Sequence, residues 1–208
     1  MYKTIKIGNI QTSKQELTDI AKSWIVLSLA FAFVFGGISF LSGNIVSFFS
    51  AHFLTIFIIS ALTAGLGFLL HELAHKITAQ HYGCIAEFRA FNQMLYLALA
   101  LAMVIGVIFA APGAVMISGM ITRKENGIIS AAGPLTNYSL AMVFLGLQHL
   151  PQLPALSSAF AIGFSINVWL GLFNMIPFLN FDGKKIFNWS MPLWIIMVAF
   201  GIYFAFFL

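Results

Sequence analysis

Residues Phe53–His81 read FLTIFIISALTAGLGFLLHELAHKITAQH. Up to Leu70 the stretch carries no charge; it then meets two imidazoles and a carboxylate within His71-Glu72-Leu73-Ala74-His75. An apolar run longer than the roughly 20 residues that cross a bilayer predicts one long helix that protrudes or tilts, with Gly83 as its C-cap. Residues four apart share a helix face, so His71 and His75 can hold one metal ion while Glu72 points beside it. Ionisable groups at membrane depth are costly and are kept for function, facing protein or a water-filled cavity. The spacing is H-E-x-x-H, two zinc ligands and a candidate general base. A chance match is the bland alternative, and the apolar setting weighs against it.

The composition around this stretch points the same way. Of 208 residues, 61% are apolar and 8% are charged, against about 25% charged in a soluble domain. So few charges cannot cover a water-facing surface, and lipid is the expected solvent. The net charge of +4 comes from basic residues scattered between apolar runs, where they set topology rather than bind nucleic acid. Cys84 is the single cysteine, which excludes an internal disulfide. A signal peptide places a short basic region directly before its apolar core; here a polar segment, residues 1–23, precedes the run Trp24–Leu41. That run reads as a retained span with Trp24 as an interfacial anchor.

The remaining elements follow from periodicity and punctuation. Alternation predicts short strands near residues 2–8, 84–91 and 114–122. Ser13 and Glu16 fit a capping box that starts the first helix. Met94–Ala111 is apolar and helix-like. Ile128–Leu150 reads as a span interrupted early by Gly133-Pro134, Leu156–Ile176 as a span closed by Pro177, 178–190 as a polar loop, and Leu193–Leu208 as a short last span. Ala61, Ala64, Gly65 and Gly67 suggest close approach of another helix. If 94–111 enters and leaves on one side, all ten Lys and Arg residues fall on one membrane face; if it crosses, they split. The positive-inside rule favours the first arrangement, with a cytoplasmic N-terminus and a cytoplasmic C-terminal end of the His71–His75 helix. The expected fold is therefore an all-α polytopic membrane protein, one domain over 1–208, with five or six transmembrane helices and a small membrane-associated β-sheet.

A catalytic zinc site usually has three protein ligands. His81 lies ten residues after His71, but Thr78 stands where the glycine turn of that longer motif is needed. Asp182 follows the proline break at Pro177 and precedes Gly183, in a stretch whose irregular backbone would line a cavity. Asp182 is the stronger candidate, with a plain interfacial carboxylate paired to Lys184 or Lys185 as its alternative.

Three ordered motifs, His71-Glu-Leu-Ala-His75, Gly133-Pro134-Leu-Thr-Asn137 and Asn174-x-x-Pro177…Asp182-Gly183, resemble those of site-2 proteases, the intramembrane zinc metalloproteases. The resemblance covers roughly 53–188, the expected catalytic core, and is to compact archaeal or bacterial members without a PDZ or CBS domain. It implies one zinc per chain held by His71, His75 and Asp182, with Glu72 as catalytic base. It implies that Asn137 helps hold substrate or the oxyanion. It places an unwound transmembrane protein substrate against a strand at Gly113, Ala114 and Val115, within a lipid bilayer. Asn180 and Lys184 depart from the common pattern of that family. Two rivals stand beside this reading. A metalloprotease class with a later glutamate ligand is disfavoured, since no Glu follows Glu125. A non-proteolytic zinc-binding membrane protein, or an inactive relative, would have no use for Glu72. The residues do not specify an oligomeric state.

Overall fold

The computed structural model describes residues 4–8, 10–108, 112–150 and 153–208. The elements in chain order are strands β1 (Thr4–Ile7) and β2 (Ile10–Ser13), helices α1 (Lys14–Phe35), α2 (Ala51–Ser60) and α3 (Leu66–His81), strand β3 (Ile85–Ala90), helix α4 (Asn92–Ile105), strand β4 (Gly113–Ser118), and helices α5 (Arg123–Gln148), α6 (Ser157–Asn174), α7 (Asp182–Trp189) and α8 (Met191–Phe206). Packing divides the chain into two compact units, one of Met1–Leu69 with Glu87–Met116, the other of Leu70–Ala86 with Ile117–Leu208.

In the first unit β1 and β2 form an antiparallel hairpin with Thr4 opposite Ser13. The strand expected near 2–8 is thus seen over 4–7, its first two positions lying outside the described residues. Ser13 caps α1 by accepting from the Glu16 N–H at 3.2 Å. The expected capping box is only half made, because the fully buried Glu16 carboxylate has long-range work. It accepts from the Thr12 hydroxyl at 2.7 Å and from the Phe88 N–H of β3 at 2.8 Å. The apolar run to Leu41 does not stay helical. Gly36 caps α1 and Gly37 turns the chain at φ +61°, so hydrophobicity overshoots the helix by six residues (36–41). The backbone beyond returns to α4, with Phe40 and Leu41 N–H groups donating to the Met103 and Val104 carbonyls.

The stretch quoted at the outset is one helical run, Ala51–His81. Ser50 starts it by accepting from the Phe53 N–H at 3.1 Å. A wide π-type turn interrupts it at Ala61–Gly65, a local distortion that needs outside partners for its backbone. Trp24 supplies one, its Nε1–H donating to the Ala61 carbonyl at 3.0 Å. Trp24 is therefore a helix-to-helix strut rather than a free interfacial anchor. The approach is close: a Cβ at Gly65 would lie 3.0 Å from the Trp24 ring and closer still to Ser28 Oγ. The expected use of small residues for packing is met here.

The second unit contains the C-terminal part of α3, with α5 packed along α6 and α7 lying against α5 and α8. α5 begins at Arg123, earlier than the expected 128, because Thr122 and Glu125 make a complete capping box. The Glu125 N–H donates to Thr122 Oγ1 at 3.2 Å, and the Thr122 N–H donates back to Glu125 Oε2 at 2.7 Å. The strand expected over 114–122 is seen over Gly113–Ser118. α5 then continues through Pro134 without a break, so Gly133-Pro134 does not interrupt the span. The expected polar loop over 178–190 is in part helix α7. β4 pairs with β3 in a two-stranded sheet, and the strand expected over 84–91 is seen over 85–90.

Among the described residues, four helical runs are long and apolar enough to cross a membrane: Lys14–Phe35, Ala51–His81, Arg123–Gln148 and Ser157–Asn174. At 1.5 Å per residue α4 and α8 reach roughly 21 and 24 Å, short of a hydrocarbon core of about 30 Å. Large apolar side chains point outward in both units, Phe49 and Leu62 in one, Val143 and Ile196 in the other. Such surface is unfavourable in water and ordinary in lipid, and the chain is a membrane protein by this measure.

Candidate metal centre

His71 and His75 stand one helical turn apart on α3, both buried, with their rings edge to face. Their Nδ1 atoms are engaged by α5. His75 Nδ1–H donates to the Ile129 carbonyl at 2.8 Å, and His71 Nδ1–H to Asn137 Oδ1 at 2.6 Å. A carbonyl can only accept, so the His75 proton must sit on Nδ1, which leaves Nε2 with a lone pair. The same assignment follows for His71. The two Nε2 atoms are 3.0 Å apart, and Asp182 Oδ2 lies 3.3 Å from His71 Nε2 and 3.0 Å from His75 Nε2.

Three electron-pair donors thus converge with all ligand atoms within 4.8 Å of one another, and His71, His75 and Asp182 form the one such cluster found among the described residues. Two lone pairs and a carboxylate oxygen repel unless a cation lies between them, and an N₂O donor set suits zinc. The site can therefore hold a metal ion, and its donor chemistry fits zinc.

A Methanocaldococcus jannaschii protein named "Putative zinc metalloprotease MJ0611" is 40% identical over 187 residues, covering 89% of this chain and 90% of that protein. The chain belongs to that protein's family of zinc metalloproteases. No family model matches the chain, and no solved structure matches it.

Local structure explains how this metalloprotease builds the cluster. The donors come from α3 and the start of α7, far apart in sequence; α5, which engages both imidazoles and packs against α7, brings them together. Asp182 is the first residue of α7, so a rigid helix start holds it rather than a flexible loop. Gly183 has no left-handed backbone. Its role is close approach, since a Cβ there would strike the Met175 backbone carbonyl. Gly133 is the residue whose purpose the sequence reading missed. A Cβ at this position would lie 2.6 Å from His71 Cε1 and Nε2 and nearer still to His75 Nε2. Glycine is needed there to leave room for the imidazoles. On the same helix Ile129 offers its carbonyl to His75.

The other expected residues fall as follows. Glu72 is buried on α3, next to His71 in the chain. His81 is exposed, stacks edge-on with Tyr82, and is not in the cluster. Asn137 is fully buried and is turned to His71, while its Nδ2 donates to Asn167 Oδ1 at 3.0 Å. This geometry makes Asn137 a support for the His71 imidazole. Asn167 was not singled out from sequence, although an amide inside an apolar span was signal enough. Gly113, Ala114 and Val115 form the first half of β4. Gly113 packs so closely on β3 that a Cβ would lie 2.7 Å from the Arg89 carbonyl.

Proposed function

We propose that this metalloprotease is an intramembrane protease of the site-2 type, cleaving transmembrane protein substrates at a zinc centre held by His71, His75 and Asp182. The observation that carries the reading is a buried two-histidine, one-aspartate cluster on a chain with four helices fit to cross a bilayer. When bound, zinc supplies a Lewis acid and lowers the pKa of water. Glu72 takes up a proton and returns it to the leaving amine nitrogen, the part a buried carboxylate beside the ligands suits. A helical substrate hides its carbonyls in its own hydrogen bonds, so it unwinds and pairs as a strand with β4 around Gly113, Ala114 and Val115. In this proposal the protein is multi-pass in the cell membrane with a cytoplasmic N-terminus, and α4 is membrane-embedded rather than a full crossing. Its shortness supports this, and so does the positive-inside rule, since only without a crossing there do all ten Lys and Arg residues share one face. The test is incubation of the purified protein with a panel of single-span proteins, wild type against Glu72→Gln. Cleavage by the wild type alone is expected. Zinc-loaded wild type that cleaves none of them, or an equally active Glu72→Gln variant, refutes the proposal.

A further inference from the structure

Asn167 sits in the middle of α6, fully buried, with its amide pinned by groups of fixed polarity. Its Nδ2 donates to the Gly163 carbonyl at 2.9 Å. That carbonyl can only accept, so Oδ1 is the end turned to Asn137. The Asn137 amide must then present Nδ2 to Asn167 and Oδ1 to His71. With an acceptor at 2.6 Å, the His71 proton stays on Nδ1 and the Nε2 lone pair faces His75 and Asp182. Were the Asn137 amide to turn over, it would offer an N–H to His71 Nδ1. The imidazole proton would move to Nε2, where it blocks the nitrogen that faces the cluster.

We propose that Asn167 is a positioning residue that, through Asn137, selects the metal-binding tautomer of His71. This rests on the reading of His71 as a zinc ligand. A neutral imidazole has one donor and one acceptor nitrogen, and the partner of one decides the state of the other. Groups that orient a ligating histidine in this way are worth roughly 10–100-fold in metal affinity. The chain of polarity runs from a backbone carbonyl that cannot reverse, through two side-chain amides, to the ligand. All four residues are buried in the second unit.

The experiment measures zinc Kd of the full-length protein in detergent by competition with a chromophoric chelator. Asn167→Leu fills the space but carries no polarity. Asn167→Asp, neutral at this buried site, repeats the pattern, its carbonyl accepting from Asn137 and its hydroxyl donating to Gly163. The leucine variant is expected to raise Kd roughly 10–100-fold while the aspartate variant stays near wild type. A leucine variant with wild-type Kd overturns the proposal, and so does an equal loss in both variants, the result of a packing role alone. If leucine prevents folding, Asn167→Ala replaces it with the same expectation and the same refutation. Failure of the wild type to bind zinc would instead refute the metal-site reading, so the two outcomes are distinct.

Discussion

Gly133→Ala adds one methyl group to α5 at the point where α5 faces both histidines. Helix propensity alone would favour the change by about 1 kcal/mol. The added Cβ, however, would lie 2.6 Å from two atoms of the His71 ring and nearer to His75 Nε2. Neither ring can swing aside freely, since each is held at Nδ1, by Asn137 and by Ile129. Overpacking of a fixed site costs about 1–3 kcal/mol, so the steric term cancels or exceeds the propensity gain. The metal-free protein should be between unchanged and about 2 kcal/mol less stable. Zinc binding should suffer more, because the methyl group pushes on two ligand rings at once; a loss of about tenfold or more is expected. Gly146→Ala, on the same helix, is the control, since a Cβ there meets nothing within 4 Å. It should show only the propensity gain. Thermal unfolding and chelator competition on both variants decide the matter. If Gly133→Ala binds zinc as Gly146→Ala does, the steric account of Gly133 is wrong.

Asp182→Ala should lose zinc and activity together, whereas His81→Ala, exposed and away from the cluster, should keep both; metal analysis of the two purified variants checks this. Glu72→Gln should retain zinc and lose cleavage, because it keeps the size of the side chain and removes only the base; loss of zinc from this variant would make Glu72 part of the metal site instead. Glu16→Ala should cost at least about 1–3 kcal/mol by leaving the Phe88 N–H of β3 without its buried acceptor, and an unchanged melting temperature would count against that. Arg89→Cys and Arg123→Cys, in a Cys84→Ala background, should react with an impermeant thiol reagent from the same side of the membrane, while labelling from opposite sides would make the segment containing α4 a true crossing.

The sequence alone was enough for whatever depends on local period and chemical type. His71 and His75 share a face because they are four apart on a helix, and this holds in any tertiary setting. The absence of charge from Phe53 to Leu70 made lipid the solvent before any packing was known. Asp182 was reachable as a third ligand because ionisable residues are so few here that each needs a reason. Elements went astray where a nonlocal or cap interaction outweighed hydrophobicity: Leu41 is apolar but lies past the Gly36-Gly37 stop, and α5 starts at Arg123 because Thr122 and Glu125 bond each other. Tertiary structure decided what depends on distance between elements. Only there does Gly133 become the space that two imidazoles occupy, Glu16 the acceptor for a strand 72 residues away, and Trp24 the partner of a widened helical turn. Only there, too, is Asn137 seen to hold His71, since a side-chain amide has two unlike ends and its neighbours in space determine which end faces the imidazole.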